Sequence, residues 1–159
     1  MMEEGLAAAR ATGAQVLVPG LLALLAEGYH KAGQHDKGLS RITEALGTVE
    51  RTGERWHETE LHWLKGTLLL AGSSQNEVEA EAGFRQAIAV AQAQGAKSME
   101  LRAATSLARL WSKQGKRKEA CERIAPLYGW FTEGFDTPDL EDAKALLDQR
   151  TPKVLSNDP

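Results

Sequence analysis

The stretch Arg51-Thr-Gly-Glu-Arg55, "RTGER", decides the fold, because related versions of it recur along the chain. "ATGAQ" lies at 11–15, "AQGAK" at 93–97 and "TEGFD" at 132–136. The glycines of these four copies are 40, 42 and 39 residues apart: Gly13, Gly53, Gly95 and Gly134. A period of this length is typical of chains built from repeated structural units.

Between one glycine and the next lie two helical patterns separated by a short turn. Apolar residues follow each glycine at spacings of three and four, which marks one face of an α-helix. In the third copy these residues are Leu101, Ala104, Leu107, Ala108 and Trp111. Turns of small residues come next, at Gly33, Gly72–Ser74 and Gly115. A second helix then runs to the next glycine, which ends it because glycine adopts positive φ freely.

Small residues recur at two equivalent sites of this predicted helix pair. The first helix has Ala26, Gly66 and Ala108, and the second has Gly38, Ala80 and Ala120. Alanine or glycine lets two helix axes approach closely, whereas a leucine there would force them apart. One helix pair cannot bury both of its apolar faces, so we expect the pairs to stack into an array.

This register resembles the tetratricopeptide repeat. The residues that carry the resemblance are Leu25-Ala26, Tyr29, Gly33, Gly38, Ile42 and Ala45 in copy one, and Leu107-Ala108, Trp111, Gly115, Ala120 and Ile124 in copy three. The resemblance covers roughly residues 5–149. It implies an all-α fold: a right-handed superhelical array of about three antiparallel hairpins with a capping helix. The period near 41 departs from the usual ~34, and HEAT-like hairpins, with periods of ~40–47, are the alternative fold.

The chain is predicted to hold one helical-repeat domain at 1–149 and a disordered tail at 150–159. Gly5 precedes Gly13 by eight residues, as Ala45 precedes Gly53, so the domain is expected to begin inside a repeat. An incomplete first hairpin would expose Leu6, Val16 and Leu17, which suggests a homodimer through this N-terminal end.

The C-terminal part is predicted to end in a lone helix beginning near Pro138, which covers the last apolar face of the array. We expect Trp130 to pack beneath it. Pro126 is expected to bend or break the preceding helix, because proline lacks the N–H and crowds the previous turn.

Longer stretches resemble the C-terminal repeat region of a group of bacterial signalling proteins. These join a class III adenylate or guanylate cyclase domain, or a transcriptional regulator, to an ATPase module and then to helical repeats. The stretches are "GERWHETELHWLKGTLLL" (53–70), "ELRAATSLARLW" (100–111) and "PLYGWFTEGFDTPDLEDAKALLD" (126–148). The resemblance implies a regulatory, protein-binding role, and none of the cyclase or ATPase machinery lies in this chain.

Composition favours a soluble, cytoplasmic protein. The 19 basic and 22 acidic residues leave a net charge of −3, which argues against direct binding of nucleic acid or an anionic membrane. The apolar run Leu21–Ala26 is too short to span a bilayer. One cysteine, Cys121, rules out an internal disulfide.

No motif for catalysis is recognisable, so we expect neither an enzyme nor a cofactor or metal site. A phosphate loop and a nucleophile elbow are both missing from the sequence. Glu58 and His62 are four apart on a predicted helix and could offer two metal ligands. A polar helix face explains them better, because a metal site needs three or four convergent ligands.

A binding groove is instead predicted along the stacked first helices. Its positions are Glu27, Lys31, Glu60, Trp63, Thr67, Arg102, Thr105, Arg109, Ser112 and Lys113. Arg102, Arg109 and Lys113 form one basic stripe, which suits an acidic peptide segment or a C-terminal carboxylate. The alternative for the stripe is an ordinary solvated helix face.

The function expected from this groove is non-catalytic binding of a protein or peptide partner. The alternative is a small-molecule sensor, in which a ligand bound in the groove or between repeats changes the curvature of the array.

Overall fold

The computed structural model describes residues 1–149, and the regular structure within that range is helical, without a strand. Eight α-helices occur there: α1 (Met2–Ala11), α2 (Val18–Lys31), α3 (His35–Thr52), α4 (Glu58–Gly72), α5 (Glu77–Gln94), α6 (Lys97–Lys113), α7 (Arg117–Trp130) and α8 (Pro138–Asp148). Single 3₁₀ turns precede α2 and α5. The all-α class is therefore confirmed. The predicted tail at 150–159 lies outside the described residues.

The helices pack in the order in which they follow one another. Each contacts the next, as the predicted hairpins α2–α3, α4–α5 and α6–α7 require. The helices α2, α4, α6 and α8 also contact one another in succession. Within residues 1–149 no such contact joins α3 to α5 or α5 to α7. The first helices of the pairs therefore form one continuous layer.

Three of the four recurring glycines, Gly13, Gly53 and Gly95, end helices as expected, whereas Gly134 lies four residues beyond the end of α7 at Trp130. Gly53 and Gly95 cap α3 and α5 in the left-handed conformation, with φ of +73° and +66°. The Gly53 N–H donates to the Val49 carbonyl at 2.8 Å, which closes the last turn of α3. A residue with a Cβ would be strained at this φ, so "RTGER" is a helix stop that links two helix pairs.

Steric fit explains the small residues at the helix crossings. A Cβ built on Gly66 of α4 would lie 2.7 Å from Cε1 of Phe84 and 3.0 Å from the carbonyl oxygen of Ala80, both on α5. A Cβ on Gly38 of α3 would lie 2.9 Å from Cδ2 of Leu68. These distances are below van der Waals contact, so the close approach of the helices depends on glycine.

The N-terminal end differs from the prediction in one respect. Val16 and Leu17 are exposed as expected, but Leu6 is buried. Leu6 and Ala9 of α1 join the apolar cluster that contains Leu22 of α2, so α1 covers surface that was predicted to be open.

The C-terminal end holds two further differences. Trp130 is 59% exposed rather than packed beneath α8. Leu127, Tyr128 and Phe131 lie against Leu101, Leu140 and Ala143 in its place. Phe131 follows the end of α7 in an extended conformation, and its ring lies 5.2 Å from that of Trp130 in an edge-to-face arrangement. Pro126 does not break α7, which continues through it to Trp130.

Candidate functional site

The predicted groove positions lie on the layer formed by α2, α4 and α6, where their exposure differs. Lys31, Arg109 and Lys113 are exposed. Half-buried positions are Glu27, Glu60, Trp63, Thr67, Arg102 and Ser112. Most of the predicted positions are therefore accessible from the surface of this layer.

Thr105 was predicted to face the groove, but it is buried. It lies one helical turn from Leu101 and from Arg109, both of which contact α8. Thr105 therefore belongs to the side of α6 that α8 covers and offers nothing to a partner.

Trp63 bridges two repeats. Its Nε1–H on α4 donates to Oγ of Ser106 on α6 at 2.9 Å. The Arg102 guanidinium lies 5.4 Å from the centre of the Trp63 ring, within the range of a cation–π contact. Its ring also packs against both main apolar clusters. These contacts give Trp63 a structural role, whether or not a partner also touches it.

The basic stripe of α6 is paired with carboxylates of α8. Arg102 donates from Nε to Oδ1 of Asp139 at 3.0 Å and from Nη2 to Oδ2 at 3.0 Å. This hydrogen bonding is the main cause that raises the pKa of Arg102 above its ordinary value, and the charges of Glu60 and Glu27 raise it further. Arg109 pairs with Asp142 at 3.3 Å. Both arginines of the stripe thus have acidic partners within the chain.

A repeated position explains why Asp139 reaches across to α6. An acidic residue stands five positions after three of the recurring glycines: Glu58, Glu100 and Asp139. Glu58 pairs with Arg55 at 2.7 Å, and Glu100 pairs with Lys97 at 2.8 Å. Both cations stand two positions after the glycine, where the last copy has Asp136 instead. Asp139 therefore has no cation at this local position, and its partner is Arg102.

The possible metal face at Glu58 and His62 is occupied by other contacts. Both Glu58 oxygens accept from Arg55, at 2.7 and 2.8 Å, while His62 Nε2 lies 4.0 Å from Glu58. Burial is the main cause that lowers the pKa of His62. The negative charge of Glu58 raises this pKa, whereas the positive charges of Lys65 and Arg55 lower it further. Across residues 1–149, no three His, Cys, Asp or Glu side chains are grouped to hold a metal ion.

Three cavities open along the layer of first helices. One of about 370 Å³ lies between α4 and α6, with Leu70, Leu110 and Lys113 in its wall. The other two, of about 330 and 550 Å³, lie on either side of Glu60 near the N-terminal ends of α2 and α4. These openings could receive side chains of a partner.

Some residues that shape this surface were not anticipated. Asp139 and Asp142 lie near the N-terminus of α8, where carboxylates are favourable in any case, so their role as partners of arginine was not predicted. Leu24 and Trp56 are exposed apolar residues that border the two cavities beside Glu60. Leu24 lies off the buried face of α2 that holds Leu22, Leu25 and Ala26, and an apolar residue at such a position was the available signal.

Membrane insertion receives no support from the described helices, none of which is both long and apolar enough to cross a bilayer. No protein-family model matches the chain, and a search among curated proteins also finds no match.

Proposed function

We propose that the chain is a non-catalytic interaction module that binds a protein or peptide partner on the layer formed by α2, α4, α6 and α8. In this proposal the helix pairs form a right-handed superhelical array of the tetratricopeptide-repeat kind, and the layer is its concave side. The module would serve as the C-terminal, regulatory part of a cytoplasmic bacterial signalling protein.

One observation carries the proposal: the layer joins exposed apolar side chains, charged side chains and three cavities on one continuous surface. Leu24 of α2 lines one of these cavities, and Lys113 of α6 lines another. Exposed apolar surface bordered by charge is typical of protein-binding sites. The succession of contacts from α2 to α8 also agrees with the stacking of helical repeats.

Site-specific crosslinking in the source cell tests this proposal. A photoreactive phenylalanine analogue would replace Leu24 or Lys113 on the layer, or Ala89 as the control. Ala89 is exposed on α5, which is not part of the layer. We expect crosslinks to a defined protein from at least one layer position and none from Ala89. Crosslinks from Ala89 alone, or from none of the three positions, would contradict the proposal.

A small-molecule sensor is a second candidate, and the cavity between α4 and α6 favours it. Its volume of about 370 Å³ falls within the range of ligand pockets, about 300–1,000 Å³. Leu70 and Leu110 give it apolar walls, and His30 and Arg109 give it polar groups. A metabolite that bound there would raise the melting temperature with increasing concentration. Replacement of Thr67 in the cavity wall by Trp should abolish that rise, because the indole would fill the space.

A further inference from the structure

Apolar side chains face solvent around the N-terminal ends of α2 and α4. Trp56 is 84% exposed, Leu17 57% and Leu24 53%. The cavity of about 330 Å³ is lined by Leu17 and Leu24, and the cavity of about 550 Å³ by Trp56 and Met99. Single exposed apolar residues are ordinary, but a group of them around two openings indicates an interaction surface.

Carboxylates set the charge of this surface. Glu60 lines both cavities, and Glu54 lines the one at Trp56. The neighbouring cation Arg55 is engaged by both oxygens of Glu58. His57 Nδ1 lies 3.6 Å from Glu60 and supplies a positive charge only when it is protonated. The surface therefore combines apolar openings with a negative border.

The other half of the layer differs in charge. Its arginines, Arg102 and Arg109, already pair with Asp139 and Asp142 of α8. An acidic partner would have to compete with these internal carboxylates. A basic partner would meet Glu54 and Glu60 without displacing any helix, so the charge arrangement favours it.

We propose that Leu17, Leu24, Glu54, Trp56 and Glu60, here named the Trp56 face, bind a basic amphipathic segment of a partner protein. Apolar side chains of the segment enter the two cavities, and a Lys or Arg between them pairs with Glu60. The inference rests on the proposed interaction function and names its partner class. It replaces the acidic peptide predicted from the sequence with a partner of opposite charge.

A second copy of this chain fits the face less well. A two-fold contact brings the same patch of each copy together. Glu54 and Glu60 would then meet their own counterparts, and like charges at an interface oppose association. The expected partner is therefore a different chain with complementary charge.

Selection from a random peptide library displayed on phage, with the whole chain immobilised, tests the inference. We expect enriched peptides to combine Leu, Phe or Trp with nearby Lys or Arg. Trp56→Ala should weaken their binding by about tenfold or more, as expected for a central aromatic contact. Glu60→Lys should weaken it by about tenfold as well, since a paired charge becomes a repelled one.

The matched control is Glu50→Lys, which makes the same charge change at an exposed position on α3. It should leave the affinity of the selected peptides unchanged, and thermal unfolding should show that each variant is folded. If Glu50→Lys and Glu60→Lys lowered the affinity for the selected peptides equally, the loss would come from the change in net charge alone. That result would overturn the proposed pairing with Glu60. A library that yields no binder would also count against the face.

Two further outcomes would overturn the partner class but leave the interaction function standing. The first is enrichment of acidic peptides whose binding is lost in Lys113→Glu. The second is self-association in sedimentation equilibrium that Trp56→Ala or Leu24→Gln abolishes, which would make a second copy the occupant. The crosslinking experiment tests the proposed function separately. That function fails if neither Leu24 nor Lys113 of the layer gives a crosslink.

Discussion

Arg102 of α6 and Asp139 of α8 form a two-point ion pair, with Nε 3.0 Å from Oδ1 and Nη2 3.0 Å from Oδ2. The pair is partly shielded, because the side chains are 36% and 24% exposed. The neighbouring pair of Arg109 and Asp142 is more exposed and is held at 3.3 Å. These two pairs join the same helices and differ mainly in geometry and exposure.

A double-mutant cycle on Arg102→Gln and Asp139→Asn should give a coupling of about 1 kcal/mol in the free energy of unfolding, at the upper end for pairs near the surface. The matching cycle on Arg109 and Asp142 should give a few tenths of that, because the pair is exposed and screened. Urea unfolding of the wild type and the six variants measures both couplings. Equal coupling energies in the two cycles would show that the two-point geometry of the Arg102–Asp139 pair adds nothing to the free energy of unfolding.

Gly66→Ala should lower the free energy of unfolding by about 1–3 kcal/mol, since the new methyl group would overlap Phe84 and force α4 away from α5. Gly47→Ala is the control, because a Cβ at Gly47, within α3, meets nothing within 4 Å. That variant should gain up to about 1 kcal/mol from helix propensity alone. A loss of similar size in both variants would contradict the steric explanation.

Trp63→Phe should destabilise the chain by about 1 kcal/mol, because it removes the hydrogen bond to Ser106 and weakens the contact with Arg102. Ser106→Ala removes the same hydrogen bond from the other side. In the double variant the two losses should therefore not add. Losses that add fully, measured by thermal or urea unfolding, would show that Trp63 does not link the repeats through this bond.

The stability of the chain should fall as the pH is lowered from 7 toward 5, in part because of His62. Burial lowers the pKa of His62 below 6.5 in the folded state, so the unfolded chain binds the proton at a higher pH. The neutral ring therefore contributes stability above pH 6.5, and that contribution is lost as the pH falls through the folded pKa. His62→Gln should lose less stability over this interval in urea titrations. Parallel curves for the two proteins would refute this origin.

The helix pairs were predictable because they rest on local chemistry. Three of the recurring glycines, Gly13, Gly53 and Gly95, stop helices through their own backbone freedom, and Gly53 does so with a φ of +73°. The small residue at Gly66 pointed to a close crossing, and the ring of Phe84 occupies the space where its Cβ would be. In both cases one residue type carries the physical constraint, so the pattern could be interpreted without knowledge of the neighbours.

Which side of a helix a neighbour covers was less predictable. The spacing of Arg102, Thr105 and Arg109 placed all three toward the groove, but Thr105 is buried and α8 pairs with both arginines. Helical periodicity gives the relative angles of side chains, whereas the position of the next helix depends on packing along its whole length. Each residue turns a helix by about 100°, so Tyr128 and Trp130, which are two residues apart, point in directions about 160° apart.

The order of the helix contacts has a consequence for how the chain folds during its synthesis. Each helix touches the helix next to it in the chain, and α2, α4, α6 and α8 reach no farther than the next member of their layer. Contacts between residues close in sequence allow rapid folding, because little loop entropy is lost before they form. The pair α2–α3 can therefore dock while α6 is still being synthesised. Each later pair can assemble on a surface already completed, as the nascent chain leaves the ribosome.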